Sequence, residues 1–401
     1  MANRVQTAVP VDASRYLPLA MFGEKLELLH ASGAVDYVHV WDQLMGWWPR
    51  HLWTPENSPL ARFVGDIDSQ PEAFTLGAYA LAVAPEMGLS ISTDAIRRGP
   101  TEVLQALLTL ENLSGQAGRA PILQLGAGEV RNIKPYGYKR SEGLKRLEDH
   151  LRFYHAYRTC DEPIDLEGNI WKYDQAWLGR GGNSDNLRLW GLGGGPKLLD
   201  ITTSYADGIS SLTPGVWSRP EQTAEQVTTI KEMLEGKDRD PEAFDFALWG
   251  AALIHEDEDV IERALTNPIV RWLAAIVGRF NQGDWLTEGH EPPVGAGWHY
   301  GTKFLPLAYD SDRAAAQQIL DRMTPDAVHK SFLCGTPEQV AEQLREHVEA
   351  GVTWVEVADM MPFVLEPEQA ASAVHRSIRV CQIVKGELAA SGAKSAPAQA
   401  W

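Results

Sequence analysis

The chain has 401 residues, 44% hydrophobic and 22% charged, a balance that belongs to globular rather than disordered chains. Its 36 Lys and Arg stand against 54 Asp and Glu, and the resulting charge of -18 repels polyanions and argues against a nucleic-acid partner. Cys160, Cys334 and Cys381 form no C-x-x-C pair, so neither a disulfide framework nor a zinc knuckle is expected. No run is long and uncharged enough to span a membrane, and the first residues lack a secretory pattern, which predicts a cytoplasmic chain.

A weak strand over residues 4–11 comes first. Apolar residues spaced by three and four over 18–33, closed by Gly33, predict a helix, and Tyr37-Val38-His39-Val40-Trp41 reads as the next strand. A strand over 88–93 leads through Gly99-Pro100 to a helix over 101–113, and a strand over 122–126 leads to a helix over 142–157. The strand over 187–191 runs into a glycine-rich turn and a helix over 196–205. Strands over 207–211 and 244–254 follow, the second feeding a helix over 258–279. A helix over 336–350, a strand over 352–357 and a helix from about Pro367 complete the series.

Strands alternating with helices predict parallel βαβ units, and eight such strands are the number that closes an α/β TIM barrel. A doubly wound open sheet shares the alternation, and periodicity does not separate the two. Residues 278–303, rich in Gly, Pro and Trp, break the pattern and read as a loop insertion reaching about residue 330. The expectation is one domain over 1–388, with 389–401 a disordered tail of small residues.

Four segments could carry chemistry. Asp42 and Gln43 fall just past a strand end, which in a barrel is the mouth of the active site; a carboxylate there can act as acid or base, and Trp47 or Trp48 can stack on a flat ring. The same residues also read as a helix cap covered by tryptophans. Gly126-Ala127-Gly128-Glu129 follows a strand, and its glycines would admit a ligand close to the backbone. Arg131 stands where a dinucleotide fingerprint needs a third glycine, and Glu129 taken alone reads equally as a surface residue.

Gly193, Gly194 and Gly195 precede Pro196 at a helix start, an arrangement suited to a phosphate. The G-K-[ST] of a P-loop is absent. Ser90-Ile91-Ser92-Thr93 forms a polar strand end, and His39, between two valines, reads as a residue facing the barrel interior. There is no H-x-H, H-E-x-x-H or G-x-S-x-G, so neither a metal site nor a serine nucleophile is expected.

Five blocks in register, VDYVHVWDQLMGWWP, MGLSISTDAIRRGP, ILQLGAGEVRNIKPYG, LWGLGGGPKLLDITTSYADG and CGTPEQVAEQLREHVEAGV, cover about residues 35–360. Together they resemble the luciferase-like monooxygenase superfamily and, within it, the branch dependent on coenzyme F-420, a deazaflavin. The segment before Phe332 and the NIKPYG run are most similar to its phthiodiolone ketoreductase subgroup. The resemblance implies a bacterial-luciferase-like (β/α)8 barrel, often dimeric, with the cofactor ring held at the mouth. It places Gly193, Gly194 and Gly195 on the cofactor phosphate, Ser90 and Ile91 at a strained, bulged peptide behind the ring, and Asp42, Gly126, Gly128 and Glu129 around it. Trp47 or Trp48 would lie on the substrate side.

One departure has a chemical consequence. Family members that use F-420 commonly carry Asp-His where this chain has Asp42-Gln43, and an amide cannot shuttle a proton. The proton would then come from Glu129 or Asp42, and for Glu129 this requires burial that raises its pKa. The implied reaction is hydride transfer between deazaflavin C5 and a carbonyl or alcohol, on a small molecule that the aromatic lining suggests is large or apolar. The alternatives are an FMN-dependent monooxygenase supplied with reduced flavin, and a flavin-binding barrel without catalysis. Arg97, Arg98, Arg131 and Lys197 are candidates by position to meet an anionic cofactor tail, though they read more readily as solvated surface charge, and Trp41, Trp47, Trp48 and Trp190 would flank the ring.

Overall fold

Eight parallel strands close on themselves: β1 (Gln6–Pro10), β2 (Tyr37–Trp41), β3 (Gly88–Asp94), β4 (Ile122–Gly126), β5 (Arg188–Leu192), β6 (Gly208–Thr213), β7 (Asp245–Ile254) and β8 (Trp354–Asp359). The computed structural model describes residues 5–11, 14–114, 119–180, 186–277, 289 and 313–387. Closure is made by β8, which pairs with β1 through Ala8 opposite Glu356 and with β7 through Trp249 opposite Glu356. All eight strands lie close to their expected positions, and the ring of pairings excludes the open sheet. A short strand, Leu333–Gly335, extends β7 on the β6 side beyond the end of β6.

Side chains alternate across each strand, which divides the core into two compartments. Val38, Val40, Leu89, Ile91, Leu123 and Leu125 belong to the main hydrophobic core between strands and helices, each side chain worth about 1.5–3 kcal/mol when fully buried. Helix α1 (Ala73–Val83) lies closely on this layer, for a Cβ added at Gly77 would stand 2.9 Å from Leu89 Cδ2. The inward set begins at the N-terminal end with Ala8, Tyr37, Ile122, Trp190, Ala247 and Trp354, packed as a plug. Above it lie His39, Ser90, Gln124 and Glu356, all without solvent exposure.

Several elements differ from expectation. The helix expected over 258–279 is two helices, Glu258–Thr266 and Pro268–Val277, because Pro268 has no N–H to continue the first. Helices Ala73–Val83 and Pro220–Glu235 and the hairpin Ile164–Glu167/Lys172–Ala176 were not anticipated. Most of the expected insertion, residues 278–288 and 290–312, and the expected tail, 389–401, lie outside the described residues; Arg313–Arg322 and Pro325–His329 within the insertion are helical. Among the described residues, no helix is long and apolar enough to cross a membrane.

Candidate active site

The loops leaving the C-terminal ends of the strands enclose a cavity of about 820 Å³. That is within the roughly 300–1,000 Å³ usual for small-molecule sites. Asp42, Gln43, Trp47, Trp48, Gly126, Gly128, Glu129, Gly193, Gly194 and Gly195 all line it, so segments far apart in the sequence converge as expected. Ser90 and Ile91 do not. The Ser90 side chain lies deeper in the barrel, taking a hydrogen bond from Gln124 Nε2 at 2.9 Å, while Ile91 faces outward against α1. Both keep regular register with β2 and β4, so no bulge lies there; the cis peptide among the described residues is Thr213–Pro214, at the end of β6.

Asp42 is held entirely by its own chain. Thr93 Oγ1 donates to Oδ2 at 2.6 Å, Arg97 Nη2 lies 2.9 Å from the same oxygen, and Arg98 Nη1 pairs with it as well. Its carboxylate is an acceptor already occupied by donors, which removes it as the proton source. Arg97 also pairs with Asp94, and Arg98 with Glu72 at 2.7 Å. These two arginines are therefore committed to internal carboxylates rather than to a ligand.

Arg131 organises the loop after β2. Its guanidinium donates to Met45 O at 2.8 Å, Gly46 O at 2.7 Å and Gln43 Oε1 at 3.2 Å, and it lies 4.2 Å from the centre of the Trp47 ring. Arginine has no acceptor, so this contact fixes which end of the Gln43 amide faces it and leaves the Gln43 NH2 group as the donor at the cavity wall. Arg131 Nε in turn donates to Glu129 Oε2 at 2.7 Å. The Glu129 side chain is 39% exposed, so the burial that a proton-donating role demanded is not found.

At the opposite wall, the turn after β5 enters helix α2 (Pro196–Tyr205) with Gly195 as a cap that has no side-chain bond, leaving the first helical N–H groups open. Gly193 adopts φ 141°, a conformation that glycine alone takes readily, whereas a Cβ at Gly195 would meet nothing within 4 Å. Packing therefore does not demand glycine at 195, and close approach of a ligand would. Lys197 lines the cavity here, and Arg140, which sequence reasoning missed, lines it within the field of Glu129 and Asp94. Neither forms an ion pair among the described residues, and burial pushes the Arg140 guanidinium pKa down.

The floor is aromatic. Trp41 stacks on Trp249 at 6.1 Å and 26°, and Trp47 tilts against Trp41 at 6.4 Å. Trp48 lies at the edge, its Nε1 donating to Ile269 O at 2.8 Å and its ring packed on Phe363 at 4.8 Å. Trp190 is not in this group; it sits in the plug, edge-on to Trp354 at 5.6 Å. Trp249 was missed because nothing near it in sequence marks a site; only its place on an inward position of β7 does. Trp41 Nε1, Trp47 Nε1 and Ser211 Oγ are buried polar atoms without hydrogen-bond partners among the described residues.

Comparison with known proteins agrees with this geometry. Residues 50–353 match the family model described as luciferase-like monooxygenase. The phthiodiolone/phenolphthiodiolone dimycocerosates ketoreductase of Mycobacterium bovis (strain BCG / Pasteur 1173P2) is 28% identical over 358 residues, 86% of this chain and 90% of that protein. An F-420-dependent secondary alcohol dehydrogenase, solved with an F-420–acetone adduct, superposes with a TM-score of 0.67 at 17% identity over 95% of this chain and 99% of the other. A long-chain alkane monooxygenase superposes at 0.64 with 12% identity, over 96% of this chain and 92% of that one.

Proposed function

The chain is an oxidoreductase belonging to the luciferase-like monooxygenase family, and from that premise we propose that it moves hydride between coenzyme F-420 and a carbonyl or alcohol substrate. The observation that carries this reading is the form of the cavity. One wall is a glycine-lined helix start beside Lys197 and the unpartnered Ser211 Oγ, Arg140 adds a second cation to the lining, and the floor is an aromatic surface with two unpartnered N–H groups. That combination fits a flat ring joined to an anionic tail: Gly193, Gly194, Gly195, Arg140 and Lys197 would hold the anion, and Trp41, Trp47 and Trp249 the ring. The name of the mycobacterial relative, a ketoreductase, supports a carbonyl as the group reduced.

When bound, the deazaflavin supplies a carbon that gives or takes hydride. The chain's own residues do the rest. The Gln43 amide, locked by Arg131, donates to the substrate oxygen and stabilises the negative charge that develops there. Arg131, Glu129 and Asn132 position that loop, Asn132 Oδ1 accepting from Leu44 N at 3.0 Å. Leu212, Val216, Leu273, Met360 and Phe363 exclude water and favour an apolar substrate body. Titration with F-420 and, separately, with FMN, followed by tryptophan fluorescence, tests the reading: quenching by F-420 is expected, and tight quenching by FMN alone would overturn it.

A further inference from the structure

One hydrogen bond spans the barrel interior beneath the cavity. Trp249 Nε1 on β7 donates to Gln124 Oε1 on β4 at 2.9 Å, and β5 and β6 lie between those two strands in the sheet. An indole nitrogen can only donate, so this bond fixes the Gln124 amide. Its NH2 group faces the other way, toward Ser90 Oγ at 2.9 Å and His39 Nδ1 at 3.4 Å. Trp249 lines the cavity, whereas Gln124, Ser90 and His39 have no solvent exposure.

Packing alone does not call for an amide here. A buried amide is tolerated only when both of its ends are satisfied, and methionine, also unbranched, would fill the space without that demand. What the amide adds is direction. Trp41 stacks on Trp249 at 6.1 Å and 26°, and His39 meets the ring edge-on at 4.9 Å and 72°. Such ring contacts tolerate small rotations, but a hydrogen bond weakens steeply when bent, so the bond to Gln124 selects one orientation of the indole. Trp41 and Trp47, the other rings of the floor, have no such bond among the described residues. The floor therefore consists of one ring tied to the far wall of the barrel and two that are not.

We propose that Gln124 is a positioning residue, which fixes the Trp249 indole as the rigid part of the cavity floor and so sets where a ring stacked on that floor lies. That a cofactor ring lies there rests on the hydride-transfer reading above. Ser90 acts one step further back, accepting from the Gln124 NH2 group and holding the amide in its orientation. Neither residue touches a ligand; both act through Trp249.

Two measurements decide it. In protein with nitrogen-15 in its tryptophan side chains, the Trp249 indole N–H signal is the one lost in Trp249→Phe. Gln124→Met should move that signal upfield, as a proton moves on losing its acceptor, while Gln124→Glu, which keeps an oxygen there, should hold it near its parent position. Gln124→Asn, one methylene shorter, gives the same reading if the methionine variant does not fold. An unmoved signal in the folded variant overturns the assignment whatever the cofactor proves to be.

In single turnovers with reduced F-420 and a ketone, Gln124→Met should slow reduction by about tenfold, as a small misplacement of the reacting groups would, and Gln124→Glu should recover most of that rate. In the Trp249→Phe background the same methionine substitution should have no further effect, because Gln124 acts through that ring. An equal loss of rate in both backgrounds, or a loss of stability with the rate unchanged, makes Gln124 merely structural and overturns the assignment. Failure of F-420 to bind defeats the functional reading and leaves the indole signal to decide whether Gln124 holds the ring.

Discussion

The two ends of the barrel use the same residue type for opposite purposes. At the N-terminal end, Trp190 and Trp354 pack edge to face with Tyr37 into a plug, and Trp190 Nε1 is taken by Asp245 Oδ2 at 3.2 Å. At the C-terminal end, Trp41 and Trp47 line an open cavity with their N–H groups unpartnered among the described residues. Aromatic content therefore says little about function by itself. An unpartnered N–H does not separate structure from site, since Trp354 Nε1 in the plug also has no hydrogen-bond partner among the described residues; what does is that Trp41 and Trp47 border an open cavity and the plug rings do not.

This contrast can be broken by substitution, and the largest effect is expected at the plug. Trp354→Ala should cost about 3–5 kcal/mol of stability by opening a cavity, read as a lowered urea midpoint, while the protein that remains folded keeps its cofactor affinity. Trp41→Ala at the mouth should do the reverse, weakening cofactor binding with a smaller stability change. If both variants lose stability alike and bind alike, the two ends do not differ in the way described.

Next in size is the mouth's polar scaffold. Gln43→Leu, which removes the amide donor but leaves Arg131 in place, should lower kcat by about 10²–10³ with little change in cofactor affinity. An unchanged kcat would remove Gln43 from the chemistry.

A smaller effect separates buried from exposed charge through pH. His39, His150 and His347 are neutral by burial, their pKa values pushed down to about 3, 4 and 4 from 6.5. The unfolded chain takes up protons at these sites as pH falls below about 6.5, while the folded chain does not until near 4. Stability should therefore decline progressively over that window, read as a falling Tm, and a flat Tm between pH 7 and 5 would contradict the assignment. The smallest effect is expected for Glu129→Gln. Its pairing with Arg131 is partly exposed and worth at most about 1 kcal/mol, so turnover should change by less than about fivefold. Abolished turnover would instead restore Glu129 to the chemistry.

Much of the barrel was legible in the sequence because inward and outward faces alternate along β2, β3 and β4, and because turn residues punctuate each strand. The hairpin Ile164–Glu167/Lys172–Ala176 was not, since its second strand buries neither face and carries no alternation. Positions just past strand ends, such as Gln43 and Glu129, were readable as members of one mouth. Their roles were not, because these depend on Arg131, whose partners lie as many as 88 residues away. Trp190 shows the reverse error: its nearness to the glycine turn suggested the site, but the strand points its side chain into the plug. The contacts of His39 with Ser92 and Gln124 join residues of three strands and have no local signature at all.

The most direct test of the whole account is an anaerobic mixture of the protein, reduced F-420 and a panel of ketones, followed by the absorbance of the oxidised deazaflavin. The account predicts that oxidised cofactor forms only when a ketone is present and that Gln43→Leu slows it. No reaction with any ketone, together with oxygen consumption when reduced FMN is supplied, would contradict it.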